Sequence, residues 1–175
     1  MTFRPAFSLR FYLATLGRLL TNPRAVLSEL PPDDGWSRPL GLLAVSSILH
    51  AGASLIGQPV PHPVRLGLIY FANAVGMNLI AAAAGWLIII LMRGREFAFQ
   101  RVFTIYALAA GITLLASWIQ SFVIIAELWK WWLIGTGMTR GLGLPRSQAL
   151  IVVGISIALI ILFFWSLQAL LPFGS

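Results

Sequence analysis

The sequence predicts an all-α protein: a polytopic membrane helix bundle of five transmembrane helices, preceded by short interfacial helices at the N-terminus. Three observations lead there. Hydrophobic residues make up 59% of the chain and charged ones 10%. A soluble domain is about a quarter charged, so this chain cannot cover a globule with polar groups, and lipid is the solvent that removes the need. Apolar runs long enough to cross hydrocarbon recur along it. The arginines fall between those runs in an order that favours one topology. At 175 residues one compact domain is expected, divided into an N-terminal arm at 1–38 and a transmembrane domain at 39–171.

The five spans are predicted at about 39–57, 67–92, 102–118, 120–139 and 147–171. The first is uncharged apart from the titratable His50. The second, at about 39 Å, can cross about 30 Å of hydrocarbon with some tilt. The apolar stretch at 102–138 would measure about 55 Å as one helix, too long for one span, so a break is needed. The sequence WIQS at 118–121 is the best place for it, as a very tight turn. Pro172 closes the last span.

With the N-terminus in the cytoplasm, Arg4, Arg10, Arg18, Arg24 and Arg38 precede span one. Arg93, Arg95 and Arg101 lie between spans two and three, and Arg140 and Arg146 between spans four and five. Only Arg65 falls outside, and Lys130 lies within span four. Four spans would turn Arg140 and Arg146 outward, so the positive-inside rule favours five, with the C-terminus on the far side. Short loops and small size fit a bacterial inner membrane. The net charge of +7 is read as this topology signal and as affinity for anionic headgroups, not as nucleic-acid binding.

In the arm, residues 7–20 read as an interfacial helix. Leu9, Tyr12, Leu13, Leu16, Leu19 and Leu20 share one arc, with Arg10, Ala14, Gly17 and Arg18 opposite. Phe7 and Phe11 fall on the polar side and blur the pattern. Such a helix either lies at the headgroup boundary, with Arg10, Arg18 and Arg24 on phosphates, or packs on the bundle. Asn22-Pro23 is a specific helix start. The short helix it opens stops at Pro31-Pro32, and a turn at Asp33-Asp34-Gly35 leads to Trp36 as an interfacial anchor. Arginines interrupt the N-terminus, so no cleavable signal peptide is expected.

Cysteine is absent, which excludes disulfides, thiolate metal sites and a cysteine nucleophile. His50 and His62 form no ligand cluster, and no HExxH, P-loop or G-x-S-x-G motif occurs. No catalytic residue, metal ligand or cofactor is assigned.

The sharpest polar feature is Glu127 with Lys130, at i and i+3 on one face near the middle of span four. Unpaired, the two charges would cost on the order of 5–7 kcal/mol at a bilayer centre. They are either a structural ion pair or part of an intramembrane polar site. Trp129, Trp131 and Trp132 favour an interfacial location for this end of the span. Span one offers Ser47, His50 and Ser54 on one face, and span two offers Asn73 and Asn78 with Tyr70 and Gly76. The candidate site is therefore Glu127, Lys130, His50, Asn73 and Asn78; the competing reading is hydrogen bonding between helices. The run of small residues at 81–85 and the pair Gly137 and Gly141 suit close helix packing.

The chain resembles bacterial members of the Yip1 domain family over roughly residues 15–170. The resemblance rests on Asn22-Pro23 leading through GWSRPL at 35–40 into span one, and on five close hydrophobic segments with the basic loop RGREFAFQR at 93–101. It rests also on WLIGTG at 132–137, followed by Gly143 and by SQAL at 147–150. Leu142 stands where a His is common and Gln148 where a basic residue is common. Eukaryotic members are implicated in traffic between endoplasmic reticulum and Golgi, some through prenylated GTPases, and have longer N-terminal regions.

The resemblance implies a five-helix fold and a non-enzymatic membrane role. Two functions follow as expectations: a membrane-organising adaptor that binds membrane lipids and other membrane proteins, or a lipid scramblase or small transporter using the intramembrane polar groups. Small-residue faces are also compatible with a homo-oligomer.

Overall fold

A computed structural model describes residues 7–30, 35–56, 61–117 and 119–170, without the side chains of Gln120, Phe163, Phe164 and residues 166–170. Pro31-Pro32, Asp33-Asp34, Trp118 and Pro172 lie outside the described residues, as do the ends of spans one and five. Among the described residues there are seven α-helices and no strand: α1 Leu9–Thr21, α2 Pro23–Ser28, α3 Ser37–Ser54, α4 Pro63–Arg93, α5 Phe99–Thr113, α6 Val123–Arg140 and α7 Arg146–Leu170.

Local chemistry explains the boundaries. Ser8 caps α1 by accepting from the Phe11 amide at 3.1 Å. Asn22 accepts from the Ala25 amide at 3.3 Å, and Pro23 occupies the first helical position of α2, where its missing N–H is no loss. Gly94 ends α4 at φ 73°, a left-handed conformation suited to glycine, and its amide closes on the Ile90 carbonyl at 2.7 Å.

The helices alternate in direction, which brings Arg38, Arg93, Arg95, Arg101, Arg140 and Arg146 to one end of the bundle. Arg65 sits at the start of α4, at the other end. α5 is the axis. Residues 102–113 are buried without exception, with α3, α4 and α6 around them. α7 closes the ring against α4 and α6.

The outside is apolar: Val64, Leu91, Ile124, Leu128 and Leu150 are all strongly exposed. A surface like this is stable against acyl chains and would be an aggregation site in water. Lipid gives helices no hydrophobic reason to associate, so packing and interhelical hydrogen bonds must hold the bundle. Arg93 Nε donates to Gln148 Oε1 at 2.8 Å, tying α4 to α7. Arg101 donates to the Gly141 carbonyl at 3.0 Å, tying α5 to the end of α6.

Several element boundaries differ from those expected. By length and composition, one helix among the described residues, α4, is long and apolar enough to cross a membrane alone. α3 and α6, at 18 residues, reach about 27 Å, and α5, at 15, about 22 Å. The third apolar segment is thus an enclosed helix that ends at Thr113 rather than at 118. The tight turn expected at 118–121 is a longer connection, with a 3-10 turn at Gln120–Phe122. Lys130 lies just short of the middle of α6, and Glu127 one turn nearer its start.

The arm also differs from a simple interfacial helix. Tyr12, Leu16 and Leu19 are buried in the bundle, while Leu9, Leu13 and Leu20 remain exposed. The apolar arc is thus shared between protein and surroundings. Tyr12 Oη lies 3.0 Å from Ser46 Oγ on α3. Phe7 and Phe11, misfits in the helical pattern, are contacts to α3. The Phe7 ring fills the space over Gly41, where a Cβ would lie 2.4 Å from it, and Phe11 lies under the Arg38 guanidinium at 4.8 Å. The three arginines expected on headgroups, Arg10, Arg18 and Arg24, are all exposed, and Arg18 also bonds Glu29 at 2.5 Å.

Candidate functional site

The five polar residues singled out from three separate segments line one cavity of about 340 Å³. His50 comes from the last turns of α3, Asn73 and Asn78 from α4, and Glu127 and Lys130 from α6. Alternating helix directions explain the convergence. His50 near the end of α3, Asn73 in the first half of α4 and Glu127 near the start of α6 all stand at the arginine-poor end.

Lys130 Nζ lies 2.5 and 2.6 Å from the two Glu127 carboxylate oxygens, the i,i+3 pair the spacing allows. Their side chains keep 22% and 49% of their exposure, respectively, so the pair stands at the mouth. Trp131 turns inward and lines the cavity, with the ammonium 5.2 Å from its ring centre. Trp129 and Trp132 stack on each other at 4.9 Å.

His50 Nδ1 lies 3.1 Å from Ser117 Oγ, beyond the end of α5. Ser54, expected on the same polar face, donates to the His50 carbonyl at 2.8 Å. Ser47 is buried away from the cavity, its hydroxyl without a partner.

Asn78 is the middle residue of α4 and is 8% exposed. Its Nδ2 has no hydrogen-bond partner. Such a group is costly in a low-dielectric interior.

The lining stops on α4 at Ala81, on α5 at Tyr106 and on α6 at Ile134. Tyr106 is the floor. Its hydroxyl lies 3.3 Å from Ser156 Oγ on α7 and is seated over Gly85, where a Cβ would come within 2.3 Å of it. Toward the arginine-rich end stands an aromatic cluster that runs from buried Phe103 out to exposed Trp36. Phe99 contacts Trp36 at 5.9 Å, Trp86 at 5.6 Å and Phe103 at 6.1 Å between ring centres. The Trp86 indole donates to the Phe97 carbonyl at 3.0 Å. Among the described residues the cavity is therefore blind, open at one end only.

Sequence reasoning missed Tyr106, Thr113 and Ser117 in this wall. Tyr106 and Thr113 sit inside an apolar run, and the only available signal was that a phenol or hydroxyl buried in lipid needs a partner. Tyr106→Phe removes the link to α7 and leaves the ring in place. The expected loss is about 0.6 kcal/mol, the mean for interhelical bonds in a membrane, read by denaturant titration in mixed micelles.

A lipid-facing helical bundle with a blind polar cavity defines a class, the helical membrane proteins. Within that class the assignment is specific: the Yip1 domain model matches residues 17–167, and the chain belongs to the Yip1 domain family. No curated protein and no solved structure matches it.

Proposed function

We propose that this protein is a non-enzymatic membrane organiser of Yip1 type, an adaptor that binds lipid and other membrane proteins. The blind cavity carries this reading. Passage of an ion or headgroup across a bilayer requires polar partners at every depth, because desolvated charge is costly throughout hydrocarbon. The polar lining here ends at Tyr106, over an aromatic cluster. A polar pocket open at one end suits holding a group, and an apolar exterior suits contact with other membrane helices.

In this reading α3 to α7 make five crossings. The N-terminus is cytoplasmic and the C-terminus lies across a bacterial inner membrane. The arginine-rich end supports that orientation, and a reporter fused after Ser175 is expected to be active only outside the cytoplasm. A cytoplasmic signal there would overturn the five-span topology.

Photo-cross-linkers at exposed Leu49 and Leu150, used in native membranes, test the adaptor role. Reproducible membrane-protein adducts are expected, and their absence would sink it. The second reading, scrambling or transport, is favoured by the depth of Asn78. Its test is movement of a headgroup-labelled lipid in proteoliposomes. The adaptor reading expects the rate of empty vesicles, whereas scrambling by the unsubstituted protein that is lost in the double variant Glu127→Ala with Lys130→Met, which is expected to keep most of its stability, would establish the alternative.

A further inference from the structure

We infer that α1 is seated along the rim where the bundle leaves the membrane. One face lies on the protein, a second lies in the acyl chains of the leaflet at the arginine-rich end, and Arg10 and Arg24 rest on the headgroups of anionic phospholipids there. This rests on the lipid-binding reading above and names the surface and the lipid.

The faces of α1 carry the argument. At 3.6 residues per turn, successive side chains turn by about 100°. Measured from Leu9, the buried residues Thr15, Leu19, Tyr12 and Leu16 fall between about 240° and about 340°. Leu9, Leu20 and Leu13 fall within about 40° of one another, and they are 63, 65 and 62% exposed. Arg10, Thr21, Ala14 and Arg18, all exposed, occupy the arc from about 100° to about 180°. The helix thus has three sectors. A helix lying alone on a membrane needs one apolar face and one polar face, and a helix packed on a soluble bundle turns its polar residues outward. Three sectors match the three media that meet along the rim: protein at the side, acyl chains on one hand, and headgroups with water on the other.

The level of α1 agrees. Phe11 lies 4.8 Å from the Arg38 guanidinium, in the first turn of α3. The Tyr12 hydroxyl lies 3.0 Å from Ser46 Oγ, about 12 Å further along α3. The helix therefore runs between the arginine level and the apolar interior. Leu40, next to the Gly41 that seats Phe7, is exposed as well and extends the apolar surface onto α3.

Charge selects the lipid. α1 and α2 contain no acidic residue. Arg18 is matched by Glu29, which leaves exposed Arg10 and Arg24 without an ion pair among the described residues. A zwitterionic headgroup brings its own cation to each phosphate, and an anionic one does not, so two unmatched arginines beside an apolar stripe favour the anionic lipid.

The chain has no cysteine, so single cysteines carry a fluorophore without background. The full chain in nanodiscs is labelled at Leu13→Cys or Leu20→Cys on the leucine stripe, and at Ala14→Cys or Thr21→Cys on the polar arc. Each is exposed in turn to nitroxide-labelled phospholipid and to aqueous iodide. The lipid nitroxide is expected to quench the stripe positions about threefold or more over the polar ones, and iodide to do the reverse. At Leu13→Cys, nitroxide on an anionic lipid is expected to quench about fivefold more than on a zwitterionic lipid at equal content, the worth of one arginine near an anionic surface. Arg10→Gln together with Arg24→Gln is expected to make the two lipids equal. Iodide quenching of the stripe without lipid quenching would overturn the inference. So would protection of the stripe from both quenchers, which would place a protein or a second copy on it, and so would equal lipid quenching at all four positions. Equal quenching by the two lipids at Leu13→Cys with both arginines present would overturn the anionic headgroup. Phospholipid adducts of the purified chain in native mass spectrometry report on lipid binding separately: if they persist while the stripe proves aqueous, only the seat of α1 falls.

Discussion

Glu127→Ala is expected to destabilise the bundle by about 3 kcal/mol, and adding Lys130→Met is expected to restore all but about 1 kcal/mol of it. In water the single substitution would matter little, since a half-exposed ion pair is worth about 1 kcal/mol at most. What surrounds α6 decides otherwise. The carboxylate is flanked by exposed Ile124 and Leu128, so its open side meets acyl chains as well as the cavity mouth. Removing it leaves an ammonium that keeps 22% of its exposure with no counter-charge. Breaking one half of a desolvated pair is costly, and removing both halves is close to neutral. Denaturant titration of both variants in bicelles measures the difference. A loss below about 1 kcal/mol for Glu127→Ala would show that Lys130 already reaches water.

Gly141→Ala is expected to undock the N-terminal arm at a loss of about 2–3 kcal/mol. A Cβ there would lie 2.7 Å from the Gly137 carbonyl oxygen and 2.8 Å from that of Leu27. Both are backbone atoms, so no rotamer change relieves the clash and α2 must move. Gly137 is part of the same seat, since its Cβ would meet Ile105 at 2.5 Å and Leu27 at 3.3 Å. Limited trypsin digestion reads the outcome: cleavage at Arg18 and Arg24 is expected to accelerate in Gly141→Ala. Gly154→Ala, with nothing within 4 Å of the new methyl, is the matched control and is expected to leave the digest unchanged. Equal digestion of both variants would remove the glycine pair from arm docking.

The same glycines show how far a sequence reaches. Their spacing announced a close approach of helices, yet nothing in it named α2 as the visitor. That depends on a six-residue helix, whose amphipathicity is too short to read. The apolar run at 102–113 was legible as a helix. Its complete enclosure was not, because a helix apolar on every side looks the same whether protein or lipid surrounds it. Phe7 and Phe11 blurred the pattern for the opposite reason: a periodicity taken over one helix assumes one buried face, whereas Phe11 meets Arg38 from another side of α1 and Phe7 reaches Gly41 from ahead of the helix.

What the sequence determined by itself was the solvent, the helical class, the order of the apolar segments and the concentration of arginines at one end, because composition and charge spacing depend on no partner. It also marked Glu127, Lys130, His50, Asn73 and Asn78 as groups that hydrocarbon would penalise. Only the tertiary structure decided that these five share one cavity, that the Asn78 Nδ2 is buried without a partner, and that Tyr106 closes the floor. The physical reason is that antiparallel packing sets the depth of each residue by its distance from its own helix end. Residues 77 positions apart in the chain, such as His50 and Glu127, become neighbours only when the helices are assembled side by side.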